Sequence, residues 1–396
     1  MNRKNLLPRL PSKAQQKFLS ILFATIFILY GKVNFMNLSR YGEITERTYR
    51  RQFSRSYNFM QRNAQLIATA IAGRQIIAVD CSFAPKSGKT TYGIEYFYNG
   101  SAGRAERGLE ISVISIVDVE AKQGYTLSVQ QTKPTQTESE KTRIDWYLEQ
   151  LQVTKPYLPK SAHYVVTDGF YTKIKWVDGV KALNLDVVGK LRCDADLRYV
   201  YEGAQKPRGR HRKYDGKVDL IDLSRMTLVR EVEPHLHLYT VVVWVLSLKR
   251  QVRLAYLLDS RNPERTGQIL LFSTDINLDA SEILCFYKAR FQIEFIFRDA
   301  KQFTGLTDCQ ARDLTKLDFH FNASLMALNL AKLDAFQLHK ANHPDQPFVF
   351  SMASYKRLAL NRHLLERFIS LLDLEPTLIK SHPNFSKLCY YGAIAA

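Results

Sequence analysis

Two short apolar segments that each end in an aspartate constrain the fold of this chain more than any other feature. "IIAV" leads into Asp80, and "YVVT" leads into Asp168. Short apolar runs of this kind, followed by polar turns, are typical of buried strands. "LEISVISIVDV" and "YTLSVQQT" predict further strands, whereas "KTRIDWYLEQLQV" has the spacing of an amphipathic helix. Residues 74–192 therefore predict a domain of the α/β class.

The rest of the 396-residue chain divides into four segments. Residues 1–73 are basic and predict helices. Residues 193–262 contain strand-like runs such as "LHLYTVVVWVLSL" and "VRLAYLLD", which predict a β-rich insertion. Residues 263–315 return to a helical pattern, with Asp279 as an N-cap, and residues 316–396 continue as a helical C-terminal region.

The charge of the chain points to a polyanionic partner, either nucleic acid or an acidic membrane surface. The net charge is +18, and residues 1–74 hold 13 Lys or Arg against two acids, Glu43 and Glu46. The apolar run "FLSILFATIFILY" is too short for a membrane span, which needs about 20 residues. We therefore expect a buried helix here, no membrane association, and DNA as the partner.

Two basic segments are candidate DNA contacts. A short helix, a turn at Gly42 and a new helix start at Thr45 outline a helix-turn-helix with a basic second helix. A second basic run, "KPRGRHRKYDGK", connects two segments of the insertion and predicts a loop along DNA phosphates. Both runs are open to a second interpretation, a solvated charged surface. The candidate residues are Arg47, Arg50, Arg51, Arg208, Arg210 and Arg212.

Cysteine and histidine usage gives little support for a zinc site. The five cysteines are scattered, odd in number and without a CxxC pair, which favours a reducing cytoplasm. His235 and His237 are two residues apart, but no third ligand accompanies them. We interpret these histidines as structural or surface residues.

The stretch "YKARFQIEFIFRDAKQ" places four polar residues on one side of a predicted helix. With about 100° per residue, Tyr287, Arg290, Glu294 and Lys301 fall within an arc of about 60°, beside an apolar stripe. Arg290 and Glu294 have the i,i+4 spacing of an ordinary surface ion pair, which is the alternative interpretation. If these residues are more than a surface ion pair, this edge of the helix faces a functional site.

Asp80, Asp168 and Glu294 together could hold divalent cations. Carboxylate oxygens suit Mg²⁺, and two ions could offset three negative charges. Such a pair of ions can activate a water or a 3′-hydroxyl and stabilise the leaving oxygen of a phosphodiester. Asp118 also ends an apolar run and is the alternative to Asp80 as the first of the three carboxylates, although we favour Asp80.

The four-residue pattern Y-x2-R-x3-E-x6-K resembles the signature of one group of bacterial insertion-sequence transposases. This group is the insertion sequence family four, within the DDE transposases. The blocks "AVDCSFAPKSGKTTYG" and "VVTDGFYTK" resemble its two aspartate blocks. The resemblance covers roughly residues 75 to 310. It implies an RNase H-like core, a mixed sheet flanked by helices, with Asp80 on the first strand and Asp168 after the fourth. Glu294 would lie on a late helix, and a β-rich insertion would precede it.

The resemblance also implies a function. The expected activity is DNA cleavage at the ends of a mobile element and strand transfer to target DNA, with two Mg²⁺ ions, or Mn²⁺ in their place. Tyr287, Arg290 and Lys301 would hold phosphates of the transposon end, and a homodimer would act in the synaptic complex. The expected location is the bacterial cytoplasm, at the nucleoid. Trp244 is a candidate for stacking a flipped base, with a core position as the alternative.

Two other functions remain open on the sequence alone. One is a nuclease of the same RNase H-like class that cuts DNA without strand transfer. The other is an inactive relative of a transposase that binds DNA as a repressor.

Overall fold

A twelve-stranded sheet forms the centre of the protein. The computed structural model describes residues 12–133, 141–262, 266–342, 346 and 348–394. The strand order is β2-β3-β1-β5-β6-β12-β11-β10-β7-β8, with β4 paired to β3 and β9 paired to β10. The strands are β1 (Gln75–Pro85), β2 (Glu95–Asn99), β3 (Arg104–Asp118), β4 (Gln123–Gln131), β5 (Tyr164–Val166), β6 (Asp186–Leu191), β7 (Leu197–Val200), β8 (Tyr214–Lys217), β9 (Thr227–Glu233), β10 (Leu236–Val245), β11 (Arg250–Asp259) and β12 (Gly267–Ser273).

One half of the sheet has the RNase H-like arrangement. Strands β4, β3 and β1 are antiparallel, and β5 and β6 then run parallel to β1. The apolar run before Asp80 in β1 and the two valines of β5 are buried, as predicted for continuous apolar strands that are covered on both faces. The predicted α/β class and RNase H-like core are therefore confirmed.

The strands that follow β6 extend the same sheet. Strands β7 to β11 are antiparallel, and β12 pairs with β11 on one side and with β6 on the other. The segment 193–262 is rich in strands, as predicted, but β12 lies beyond it, in a stretch that the sequence did not mark as a strand. Through β12, the β-rich segment is hydrogen-bonded directly to the core.

Helices cover both faces of the sheet. On one face, Ile293 and Ile296 of α8 pack with Ile76 and Ala78 of β1. On the opposite face, Trp176 of α6 belongs to the second hydrophobic cluster. The helices are α1 (Lys13–Ile28), α2 (Phe35–Tyr41), α3 (Glu46–Gln52), α4 (Phe59–Ala70), α5 (Arg143–Thr154), α6 (Ile174–Ala182), α7 (Ala280–Ala289), α8 (Gln292–Asp299), α9 (Leu314–Asn342), α10 (Met352–Leu371), α11 (Pro376–Lys380) and α12 (Pro383–Cys389).

The N-terminal and C-terminal helices pack on each other. Phe18 of α1 and Phe53 lie against Phe319 of α9, with ring centroids 6.3 and 4.5 Å from it. Helix α1 coincides with the apolar run that the sequence predicted as a buried helix. Among the described residues, no helix has both the length and the apolar character needed to cross a membrane.

Candidate functional site

The two predicted aspartates lie side by side on the neighbouring central strands β1 and β5, where the pairing of these strands ends. In the parallel pair β1–β5, Ala78 is opposite Val166, and Asp80 and Asp168 each follow two residues later. Asp80 Oδ1 accepts a hydrogen bond from the Cys81 N–H at 2.8 Å. Asp168 Oδ1 accepts one from the Phe170 N–H at 3.0 Å, which begins a 3₁₀ turn. The strand pairing therefore brings together two carboxylates that are 88 positions apart in the sequence.

Arg290 connects Glu294 to Asp80. Its guanidinium donates to Glu294 Oε1 at 3.0 Å and to Asp80 Oδ2 at 3.3 Å. The Arg290 side chain is only 8% exposed, whereas that of Glu294 is 39% exposed. The i,i+4 pair of the alternative interpretation thus exists, but its arginine is shared with Asp80 of the central strand β1.

The helix that carries these residues is not continuous. The sequence predicts one helix from Asp279 through Lys301, and Asp279 does cap α7 by accepting the Ser281 N–H. However, α7 ends at Ala289 and α8 begins at Gln292. In between, the Ile293 N–H donates to the Arg290 carbonyl, three residues back. This tighter turn needs no Gly or Pro and so leaves no sequence signal.

Tyr287 and Lys301, the other two polar residues predicted on this side of the helix, occupy different positions. The Arg290 guanidinium lies 5.5 Å from the centre of the Tyr287 ring, so Tyr287 joins the cluster. Burial raises the pKa of Tyr287 above its ordinary value, and the charge of Arg290 opposes the rise. Lys301 lies in a π-helical turn, Ala300–Thr304, after α8, and burial lowers its pKa. No described contact joins Lys301 to the other three residues.

Negative charge accumulates around Asp80. Burial raises the pKa of Asp80 to about 6, the charge of Asp168 adds to the rise, and Arg290 opposes it. Glu294 contributes a further, smaller rise. Two carboxylates thus add to the negative charge at Asp80 and Arg290 offsets it, a charge balance that favours an additional cation.

The donor set suits a hard divalent cation, but the side chains do not form a closed ligand cage. All three groups offer carboxylate oxygens, which Mg²⁺ prefers. Within the described residues, no three Asp, Glu, His or Cys side chains are grouped closely enough to hold an ion together. The Arg290 guanidinium lies between Asp80 and Glu294, so a cation shared by these two carboxylates requires the guanidinium to move.

A groove opens beside Asp168. Its volume is about 710 Å³, and its lining includes Asp168, Phe170, Lys190 and Tyr287. Phe170 is 45% exposed, and Lys173 Nζ lies 4.0 Å from the centre of its ring. Sequence reasoning did not select Phe170 or Lys190. Phe170 follows Asp168 within "DGFY", which is the signal that could have identified it.

Asp118, the alternative to Asp80, has a different environment. It pairs in register with Gln75, at the beginning of β1, whereas Asp80 pairs with Val113. Its oxygens accept the N–H groups of Gly73 and Ala121, which closes the loop after β3. Asp118 therefore stabilises a loop, and it lies at the end of the β1–β3 ladder where β1 begins, away from Asp80.

The predicted helix-turn-helix elements are present near the N-terminus. Gly42 caps the end of α2, and Thr45 caps the start of α3 by accepting the Thr48 N–H. Arg47 and Arg51 are exposed on α3. Arg50 is also exposed, but its guanidinium pairs with Glu46 and lies over the Phe35 ring. None of these arginines touches the carboxylate cluster.

The second basic segment lies in the connection between β7 and β8. Arg208 and Arg210 are exposed there, whereas Arg212 pairs with Asp215 at 2.9 Å and covers the Tyr201 ring. Trp244 packs edge-to-face on a neighbouring tyrosine, Tyr214, and Lys213 lies over its ring. Trp244 is thus half-buried within the β-rich segment and belongs to neither hydrophobic core cluster.

Comparisons with known proteins found a similar solved structure and a matching family model. No curated protein sequence matches the chain. A cryo-EM structure of a piggyBac transposase synaptic complex with hairpin DNA is similar, with a TM-score of 0.43 and 11% sequence identity. That match covers 98% of this chain and 79% of the other. A family model described as DDE superfamily endonuclease matches residues 5–235, which include Asp80 and Asp168. Because this match spans more than half of the sequence, the chain belongs to the DDE superfamily endonuclease family.

Proposed function

We propose that this protein is a DNA transposase of the insertion-sequence type, with the Y-R-E-K signature of insertion sequence family four. It would cleave phosphodiesters at the ends of its own element and join the freed 3′-ends to target DNA. The observation that carries the proposal is the proximity of Asp80 and Asp168 beside the β1–β5 pairing, with Glu294 joined to Asp80 through Arg290. A protein of the DDE endonuclease family with this cluster has the charge needed for metal-assisted phosphodiester chemistry.

In this proposal the three carboxylates hold divalent cations, Mg²⁺ or Mn²⁺. Bound ions would supply an activated water or 3′-hydroxyl and stabilise the leaving oxygen. Asp80 is suited to this role because the β1–β3 ladder fixes its backbone, and Asp168 because it lies two residues after the end of β5, which pairs with β1. Glu294 is more exposed, and its side chain can reorient when a cation arrives.

Arg290 and Tyr287 position the DNA. The Arg290 guanidinium is held at the cluster by two carboxylates and has the planar donor geometry that suits a phosphate. Tyr287 lines the groove beside Asp168, where its hydroxyl can donate to a phosphate oxygen. Lys301 would act on a more distant phosphate, because the π-helical turn places it beyond α8.

Other basic residues would bind DNA away from the cleavage site. Arg47 and Arg51 on α3, supported by Arg50, and the exposed Arg208 and Arg210 are suited to phosphate contacts. Arg212 would instead stabilise the loop that presents them. The proposed working form is a homodimer that brings two element ends together, in the bacterial cytoplasm at the nucleoid.

A plasmid assay tests the proposal. The plasmid carries the genomic DNA that flanks the gene on both sides, and purified protein is added with Mg²⁺. The comparison is between the wild type, Glu294→Gln and a matched control, Glu282→Gln. Glu282 lies on α7 and pairs with Arg74 at the surface. Cleaved ends are mapped by primer extension, and joined products are sequenced.

We expect wild type and Glu282→Gln to produce cut and joined DNA. Glu294→Gln should lose more than about 100-fold in cleavage, since even outer partners of metal sites contribute 10- to 100-fold. Cleavage without joined products would indicate the nuclease alternative. DNA binding without cleavage by the wild type would indicate the repressor alternative. Equal activity of all three proteins would show that Glu294 has only an ion-pair role.

A further inference from the structure

The hairpin formed by β2 and the start of β3 extends beyond the end of β1. Strand β1 ends at Pro85, opposite Gly108, whereas β3 begins at Arg104 and pairs there with β2. This two-stranded extension lies on the carboxyl side of β1, the side on which Asp80 and Asp168 are found. Its side chains point alternately to two faces of the sheet.

One face of the hairpin carries two tyrosines and an arginine. Tyr96 is directly opposite Arg107, and Tyr98 follows on the same face. The tyrosines are 66% and 64% exposed. Arg107 is exposed as well, and no acidic partner for it occurs among the described residues. We call Tyr96, Tyr98 and Arg107 the tyrosine face.

The acidic residues of the hairpin belong to its other face. Glu106 is opposite Phe97 and binds Asn99 and Arg104. Arg143 from α5 covers the Phe97 ring, so this second face is packed and its charges are paired. The tyrosine face is therefore left with the single positive charge of Arg107.

The tyrosine face is continuous with the face of the sheet that carries Asp80. Asp80 is opposite Val113 on β3, and residues opposite one another in a ladder point to the same face. Every second residue of a strand points to the same face, so Val113, Ile111, Leu109 and Arg107 share one face of β3. The first three of these residues are buried in the same hydrophobic cluster. Asp80 and Arg107 therefore point to the same side.

The spacing along this face corresponds to a short length of DNA. Arg107 is six residues from Val113, so it lies about 20 Å along the strand at about 3.3 Å per residue. Duplex DNA rises about 3.4 Å per base pair, which makes this distance about six base pairs.

We propose that the tyrosine face binds the sugar-phosphate backbone of duplex DNA about six base pairs from the scissile phosphate. Arg107 pairs with a phosphate, and the tyrosine hydroxyls donate to phosphate oxygens on either side of it. Such contacts position DNA and do not read its sequence. The inference rests on the proposed function, since it takes the carboxylate cluster as the point of cleavage.

The test is a comparison of Arg107→Ala and Tyr96→Ala with Arg104→Ala as the matched control. Arg104 is in the same hairpin, but on the opposite face and paired with Glu106. Binding of a random-sequence duplex of about 30 base pairs is measured by fluorescence anisotropy at several salt concentrations. We expect Arg107→Ala to lower the slope of log K against log salt by about 1, and Arg104→Ala to leave it unchanged.

A length series then locates the contact. The cleavage position mapped in the plasmid assay is placed in duplexes that extend either about four or about twelve base pairs to one side, in both orientations. On the longer arm, Arg107→Ala and Tyr96→Ala should weaken binding roughly three- to tenfold. The shorter duplex does not reach the tyrosine face, so both variants should bind it as tightly as the wild type does.

The outcomes separate this inference from the proposed function. Normal cleavage by the wild type with no length-dependent loss in Arg107→Ala would overturn the tyrosine face alone. An equal loss in Arg107→Ala and Arg104→Ala would assign the effect to hairpin stability and also overturn it. A wild type that binds no DNA would remove both proposals.

Discussion

Arg290 determines the charge balance of the candidate site. Its guanidinium is almost completely buried, and it donates to carboxylates on two different elements, Asp80 of β1 and Glu294 of α8. A buried ion pair adds little net stability compared with an apolar replacement of both partners, because both charges lose water. Removal of one partner is costly, since the remaining charges are left uncompensated. The function of Arg290 at this position is therefore better explained by the site than by folding.

Arg290→Met tests this balance. The substitution leaves Asp80 and Glu294 facing Asp168 without their arginine, and we expect a loss of about 2–4 kcal/mol in the free energy of unfolding. Added Mg²⁺ should raise the stability of this variant more than that of the wild type, because the cation replaces the lost charge. Urea unfolding with and without Mg²⁺ gives both values.

The control for this prediction is Arg298→Met on α8, the helix that carries Glu294. Arg298 pairs with Asp299; its own side chain is 55% exposed but that of Asp299 is 9% exposed, so loss of the pair should cost about 1–3 kcal/mol. Its stability should respond to Mg²⁺ as the wild type does. An identical Mg²⁺ response in Arg290→Met and Arg298→Met would show that the carboxylates do not attract the ion.

Individual elements could be predicted from the sequence where the signal is local. Asp80 and Asp168 end apolar runs, and both lie where the parallel strands β1 and β5 end or leave their pairing. The division of the predicted long helix into α7 and α8 could not be predicted. The residues around Arg290 are ordinary helix formers, and the tight turn there accompanies the contacts of Arg290 with Asp80 and Tyr287. Contacts across the chain thus override helix propensity at the site itself.

The end of the π-helical turn shows a similar dependence on distant contacts. Gly305 has φ +77°, and an added Cβ would lie 2.3 Å from Val33 Cβ, in the loop before α2. Its carbonyl accepts a hydrogen bond from His320 of α9 at 2.7 Å, provided that the ring nitrogen is protonated. This glycine therefore joins the helix that carries Glu294 to both terminal helical regions.

Gly305→Ala should destabilise the protein by about 2–5 kcal/mol. The left-handed backbone costs an alanine about 1–2 kcal/mol, and overpacking against Val33 adds about 1–3 kcal/mol. The matched variant is Gly209→Ala, at φ +99° with no atom within 4 Å of the added Cβ, which should show the backbone cost alone. The difference in urea midpoint between the two variants measures the energetic cost of the close approach to Val33. Equal midpoints would mean that Val33 moves aside freely.

At the scale of the whole molecule, the sequence predicted individual strands and helices better than it predicted how the strands pair. The RNase H-like order of β4, β3, β1, β5 and β6 was expected from the resemblance. The pairing of β12 with β6 was not, because partner choice between strands that are about 80 positions apart leaves no local pattern. The same reason applies to the tyrosine face, which exists only because β2 pairs with the free end of β3. Side-chain periodicity predicts which residues share a face, but not which strands become neighbours.

The packing of the terminal helical regions on each other leads to the last prediction. Phe18 of α1 is buried against Tyr49, Phe53 and Phe319, so one ring connects the helices around α3 with α9. Phe18→Ala should cost about 3–5 kcal/mol and raise amide hydrogen exchange in both α1 and α9, because the regions lose a common core. Strand β9, at the far part of the sheet, should keep the wild-type exchange rate. Leu228→Ala on β9, where the side chain is 53% exposed, is the control and should change stability by less than about 0.5 kcal/mol. Faster exchange in α1 alone would show that the N-terminal helices unfold independently of α9, and that the basic helix α3 is carried on a separate unit.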